Sequence, residues 1–324
     1  MAARAAGPAI IIRRQSRFKA RPPPGAAMMI REPAVAGRFY PRERSACNSS
    51  IEECLRAAAA PPVDAISGER ILGGIVPHAG WICSGAVAAG VLREIAHRMK
   101  QTPIDAYIIF GAIHVLHVGR AAIFPSGAWE TPLGLADIEA RIVDRLCGQC
   151  GLLESDPHAH EDEHSIEVEV PFLQHLSPGV PIVPIMVPVT EQAADLGAAI
   201  GRTCANFGIR ACFLCSTDLT HYGPAYGFTP QGSGREGLTW AKNVNDRRMI
   251  DVMVNLRERE AVMEAVTNRN ACGGGAIAAT LAACKVAGAR RATLLQHTTS
   301  EEVLTSLGYP ASEDAVGYAG ILIE

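Results

Sequence analysis

Short, continuous apolar runs recur along this chain, each closed by a Gly or Pro break and followed by a stretch of helical length. The runs at 71–76, 105–111, 181–187 and 211–216 have strand length and almost no polar position, as expected of strands covered on both faces. Helices are expected from the small-residue run at Ser84 to about Met99, from Asp137 to about Cys150, and from Glu191 to Phe207. Shorter strands are expected at 121–124, 292–297 and 316–323. Further helices are expected at 49–60, with Ser49 or Ser50 as N-cap and Pro61-Pro62 as the stop, from about Leu238, from about Glu258, and over 276–287. Residues 31–41 read as an extended segment, 129–134 as a turn, and the Gly-rich stretch 223–237 as a loop. In 166–176, apolar residues at 166, 170, 173 and 176 share one helical face, with Pro171 either near the helix start or at a kink. Alternating β and α throughout predicts one α/β domain, its mostly parallel or mixed sheet flanked by helices on both faces.

Residues 1–28 break this pattern. Arg4, Arg13, Arg14, Arg17, Lys19 and Arg21 meet no acidic residue before Glu32, and Pro22-Pro23-Pro24-Gly25 ends the stretch. It reads either as an organelle-targeting segment or as an over-long start with Met28 or Met29 as the natural initiator. The second reading is preferred because foldable sequence follows at once, which leaves 29–324 as the domain.

Composition narrows the function classes. With 48% apolar residues the chain can bury a sizeable core. A net charge of −3 gives no broad electrostatic footprint for nucleic acid. No apolar run reaches the roughly 20 residues needed to span a bilayer. The expectation is a cytoplasmic protein with neither nucleic-acid nor membrane partners. Ten cysteines are too dilute for a disulfide scaffold, and several lie inside apolar runs, so they are expected to be reduced. Cys147/Cys150 and Cys212/Cys215 match C-x-x-C, but the first pair sits at a predicted helix end and the second alternates along a strand. Neither is taken as a zinc or redox pair.

Three strands deliver chemistry to one edge. Pro77-His78-Ala79-Gly80 follows the first long run, His114 follows the second, and Asp218 and His221 follow the run at 211–216. The carboxyl ends of such strands are where open α/β sheets place their sites. A lone loop histidine is ordinarily just a hydrogen-bonded loop residue; two in equivalent positions with an Asp/His pair point to a site. Imidazoles joined by a thiolate or carboxylate there suit Fe(II), Cu or Zn. Cys272 precedes Gly273-Gly274-Gly275 and a predicted helix start, where a thiolate is favoured. It is either a ligand or nucleophile, or a small filler beside glycines that permit close packing. Asp218 and His221 are either an acid/base pair or a local turn bond. Glu163-His164 and Glu167 either supply a second acid/base group or cap a helix N-terminus. No G-x-S-x-G elbow, P-loop or G-x-G-x-x-G follows a strand, which removes the usual support for serine hydrolase, phosphotransfer and dinucleotide chemistry.

Taken in order, these motifs resemble one family. Ala36-Gly37 with Phe39-Tyr40-Pro41, Pro77-His78-Ala79-Gly80, Thr131-Pro132-Leu133-Gly134, Asp162-Glu163-His164-Ser165-Ile166-Glu167, Ser216 with Asp218, His221 and Gly223, Cys272-Gly273, and the closing run 314–319 are similar to the MEMO family. Its prokaryotic members are called AmmeMemoRadiSam system protein B. The resemblance implies a fold related to the LigB-type (class III) extradiol dioxygenases. It also implies a metal site of His78, His114 and Cys272, holding iron(II) in the first place or copper in the second. His221, with Asp218 beside it, would be the acid/base group. For eukaryotic members the resemblance implies binding of phosphotyrosine peptides.

Three departures are visible: Val115 stands where the family commonly has a second His, Trp81 where it has Tyr, and three glycines follow Cys272. The expectation is a metal-dependent, dioxygenase-like oxidoreductase in which His221, Asp218 and His164 serve catalysis on a small molecule. The alternatives are a non-catalytic module binding a peptide or small ligand in the same cleft, and metal-assisted hydrolysis.

Overall fold

The computed structural model describes residues 28–60, 70–115 and 118–324. Both readings of the basic N-terminal stretch and the Pro61-Pro62 stop lie outside them.

Strand β1 (Ile30–Arg31) is followed by helix α1 (Arg44–Ala57), which begins before the predicted Ser49 or Ser50 cap. Cys47, Ile51 and Cys54 recur at helical spacing and are buried, so burial of that face sets the helix start and leaves the serines in its interior. Next come β2 (Gly73–Val76), α2 (Trp81–Met99), β3 (Ala106–Gly111) and β4 (Ala121–Ile123). The predicted turn at 129–134 is instead a hairpin of β5 (Ala128–Thr131) and β6 (Gly134–Asp137), and only Pro132-Leu133 turns. Helix α3 (Ala140–Gln149) leads to β7 (Leu153–Ser155). Pro171 sits in the first turn of α4 (Val170–Leu176), where its missing N–H costs nothing, so there is no kink.

The chain continues through β8 (Ile182–Met186), α5 (Ala193–Phe207), β9 (Ala211–Ser216) and β10 (His221–Tyr222). Helix α6 (Arg235–Trp240) passes through a π-helical turn, Ala241–Asp246, into α7 (Arg247–Val254). After α8 (Ala261–Asn268) and α9 (Gly274–Val286) come β11 (Ala292–Thr299), α10 (Ser300–Ser306) and β12 (Ala315–Ile323). The sequence reading missed α10, which a Thr299/Glu302 capping box starts.

The main sheet runs β10-β12-β2-β9-β3-β8-β4-β7, with β11 on β12. β2, β9, β3 and β8 are parallel neighbours, while β12 and β4 run antiparallel to their inner partners. The sheet is therefore mixed, as expected. β1, β5 and β6 form a small separate sheet.

Helices cover both faces, and β2 shows why two glycines are needed there. A Cβ on Gly74 would strike Val91 and Ile95 of α2, whereas one on the adjacent Gly73 would strike Cys284 of α9. Neighbouring strand residues face opposite ways, so α2 and α9 lie on opposite sides. α5 crosses α9 closely enough that a Cβ on Gly197 would overlap the Ala279 carbonyl. Gly197→Val is expected to force the helices apart and cost about 1–3 kcal/mol. The check is a urea melt, in which the midpoint should fall. No helix among the described residues is long and apolar enough to cross a membrane.

Candidate functional site

Register builds the site. Val76 of β2 and Gly111 of β3 both pair with Ser216 of β9, so three parallel strands end on one rung. The residues just beyond those ends, His78, His114 and Asp218, therefore meet at one edge although they lie far apart in the chain.

His78 is buried, and two hydrogen bonds orient it. Its backbone N–H donates to Asp218 Oδ1 (2.8 Å), and its Nδ1 lies 2.9 Å from Ser216 Oγ. The Ser216 hydroxyl donates to the Ser165 carbonyl, which can only accept. Ser216 Oγ must then accept from His78 Nδ1–H, which leaves Nε2 with a free lone pair. That Nε2 is 3.2 Å from Cys272 Sγ. Burial, reinforced by the charge of the neighbouring histidines, pushes the His78 pKa well down and keeps the ring neutral.

Glu163 organises the second imidazole. Its carboxylate accepts from His114 N–H (2.5 Å) and lies 2.9 Å from His114 Nδ1. It also accepts from the N–H groups of His164 and Ser165, both at 2.9 Å. Burial alone would raise its pKa, but the His114 ring and these N–H groups outweigh it and hold it at about 2. His114 moves the other way: burial disfavours its charge, yet Cys272 and Glu163 raise it to about 10. Glu163 thus holds His114 and two N–H groups of the turn ahead of the 3-10 helix Glu167–Glu169; it does not cap a helix N-terminus. An acid beside a histidine in the 158–167 cluster was the signal.

His164 stacks on His114, ring centroids 4.6 Å apart, and meets Phe39 on another side at 4.8 Å. Burial and the His114 charge lower its pKa to about 4. Expected as an acid/base group, it lies among the imidazoles: one donor atom each from His78, His114 and His164 falls within 4.8 Å of the others. Cys272 enters from the loop before α9 and accepts from Asp218 N–H at 3.2 Å. The glycines after it are packing devices, since a Cβ on Gly273 would strike Thr217, and one on Gly275 would overlap the Pro188 carbonyl. The packing reading holds for the glycines, and Cys272 faces the His78 ring.

Asp218 is buried, and burial lifts its pKa to about 7 despite the N–H of His78. His221 lines the same cleft, and its Nδ1 lies 3.1 Å from the Leu219 carbonyl. The carbonyl can only accept, so Nδ1 carries the proton and Nε2 is free to take one. Burial lowers its pKa below the usual histidine value. The loop 217–221 is fixed from behind by the π-helical turn, a feature the sequence did not reveal. Asp246 there accepts from Thr220 N–H (3.0 Å) and faces His297 Nε2 (3.0 Å), while Asn245 donates to Thr220 Oγ1 (3.1 Å).

Glu167 has a different role from either one the sequence offered. It is buried against Arg31 at 2.8 Å and accepts from Ala34 N–H, Val35 N–H and the Tyr40 hydroxyl. Arg31 also donates to the His160 and Glu163 carbonyls and covers the Trp129 ring. This knot ties the extended segment to the loop that carries Glu163. Of the departures, Trp81 points into the core, stacked on Tyr40 and tilted against Phe172, so it alters packing behind the site rather than the cleft. Val115 is exposed. The cleft above the imidazoles has a volume of about 470 Å³.

Residues 31–322 match the family model described as Memo-like protein. A MEMO1 family protein of Methanothermobacter thermautotrophicus is 33% identical over 297 residues, covering 90% of this chain and 99% of its own. One from Pyrobaculum arsenaticum is 34% identical over 304 residues, covering 91% and 99%. In structure, an uncharacterized protein of Escherichia coli K12 aligns at a TM-score of 0.45 and 13% identity, over 72% of this chain and 92% of that one, too distant a likeness to carry an argument. On the extent of the model match and the identity of these relatives, this chain belongs to the Memo-like family.

Proposed function

We propose that the chain is a metal-dependent oxidoreductase of extradiol-dioxygenase type acting on a small molecule. In this reading iron(II), or else copper, is held by His78, His114 and Cys272, with His164 at the same cluster. The observation that carries it is the convergence of three imidazoles on one point with a cysteine 3.2 Å from one of them. Donors about 2.0–2.3 Å from one ion at tetrahedral angles lie roughly 3.3–3.7 Å from each other. The His78–Cys272 spacing fits with little movement, and the free Nε2 of His78 is the atom a metal needs. Buried carboxylate and hydroxyl partners on the far ring nitrogens are the usual supports of metal-binding histidines. A thiolate beside imidazoles favours iron or copper over the hard ions that prefer oxygen.

Bound there, the ion would supply Lewis acidity toward substrate oxygens and redox capacity toward O2. The chain's own residues do the rest. Glu163 orients His114. Asp218 fixes the His78 backbone through its carboxylate and Cys272 through its N–H. His221 Nε2 takes the proton of a substrate hydroxyl.

The test is protein purified without oxygen, with metal measured by elemental analysis and O2 uptake followed over a panel of catechols. His221→Gln is expected to keep its metal and its catechol affinity and to lose O2 uptake by about 100-fold or more. Wild-type protein that binds metal and catechol without O2 uptake would instead support a non-catalytic binding module. Protein that takes up no metal would sink the metal reading.

A further inference from the structure

The cleft is electrically lopsided. One part of its lining is the imidazole cluster of His78, His114 and His164. Two carboxylates, Glu301 of α10 and Asp314 just before β12, line another part, beside the exposed Pro310 and Ser312. Among the described residues, no Lys or Arg lines it. Asp314 Oδ1 is aimed by the Ala225 N–H at 2.8 Å, and Glu301 Oε1 accepts the Thr305 hydroxyl at 3.2 Å. Neither has an ion-pair partner among the described residues, whereas the neighbouring Glu302 takes Lys242. Phe39, Tyr226 and Tyr318 add aromatic surface to the same walls.

We propose that the cleft accepts a small aromatic ligand bearing an ammonium group, its ring oxygens toward the imidazoles and its cation toward Glu301 and Asp314. This rests on the reading of the imidazole cluster as a metal site. Two unneutralised carboxylates in a partly enclosed cleft attract a cation more strongly than they would in open water. Aromatic walls suit both a ring and an ammonium group. A volume of about 470 Å³ holds a ring with a short side chain. A phosphorylated or carboxylated ligand would meet those two carboxylates, and no guanidinium fork of the kind that usually receives such groups is among the described lining residues.

The experiment is calorimetry on the full chain loaded with Fe(II) under anaerobic conditions. Three catechols share a ring and differ only in side chain: ethylammonium, ethyl and propionate. The ammonium compound is expected to bind about tenfold tighter than the propionate, with the neutral one between, and the gap should narrow with salt. Combining Glu301→Gln with Asp314→Asn, which keeps an acceptor for Ala225, should shrink the ratio to about twofold while sparing the neutral catechol. Ligand-observed NMR on metal-free protein, with phenethylammonium against phenylpropionate, separates the two readings. If catechols do not bind the loaded protein but the amine preference persists and depends on both carboxylates, the charge reading stands and the metal reading falls. Equal affinities in both formats, a preference for the anion, or an amine preference that survives the double variant would overturn the proposal.

Discussion

Cys272→Ser and His78→Ala are each expected to strip bound iron or copper from near one per chain to a small fraction, with affinity falling by more than about 100-fold. The two donors face each other across 3.2 Å, one from the end of β2 and one from the loop before α9, so each variant removes a donor that no neighbour on its own element replaces. Serine keeps the size of Cys272 but offers a hydroxyl that stays protonated and binds soft metals poorly. Glu163→Gln should cost less, about 10–100-fold, because it loosens His114 without deleting a donor. The pH dependence has a definite sign. His114 is raised to about 10 in the metal-free protein, and a metal takes only the unprotonated ring. Binding therefore releases a proton, and affinity should rise by up to about tenfold per pH unit from roughly pH 6 to 9. His78 and His164 are already neutral over that range. Metal titrations by calorimetry in buffers of different ionisation enthalpy would measure both the affinity and the proton. Variants that keep full metal would remove His78 and Cys272 from the ligand set.

Glu167→Ala is expected to be the most damaging single change to stability, about 3–5 kcal/mol, because it leaves the Arg31 guanidinium buried without its counter-charge. Two backbone N–H groups and the Tyr40 hydroxyl lose their acceptor at the same time. The melting temperature should fall by about 10 °C. Exchanging both partners, Arg31→Met with Glu167→Leu, should cost clearly less than Glu167→Ala, since no charge is then stranded. Thermal and urea unfolding of both variants decides it. A double variant as weak as the single would mean that packing, not the stranded charge, sets the loss. The knot also holds the Glu163 carbonyl, so Glu167→Ala is expected to weaken metal binding even in the molecules that remain folded.

Much of the frame was legible because burial on both faces writes itself into composition. The runs that became β2, β3, β8 and β9 are apolar throughout, and a break after each announced a strand end. His78, His114 and Asp218 could be placed at one edge before any coordinates, since parallel strands put their carboxyl ends together. Elements whose signals were local and weak were harder. The β5–β6 hairpin hid behind Pro132, which suits its turn and looked like the end of any strand. Helix α1 carried a capping signal at Ser49 and Ser50 that burial of Cys47, Ile51 and Cys54 overrode.

Sequence alone determined the α/β class, the order of most elements, the histidines at the strand ends and the family resemblance, because each rests on residues near one another in the chain or on motifs read in order. Only the tertiary structure decided which groups touch. Cys272 meets His78 because β9 lies beside β2 and α9 packs at that strand's end, a juxtaposition of residues 194 positions apart. Glu167 pairs with Arg31 from 136 positions away, and Glu163 turns toward His114 from 49. The joining of His164 to the other imidazoles was likewise invisible. Hydrophobic period reports which face of an element is buried, but not which partner faces it, and the chemistry of a site depends on the partner.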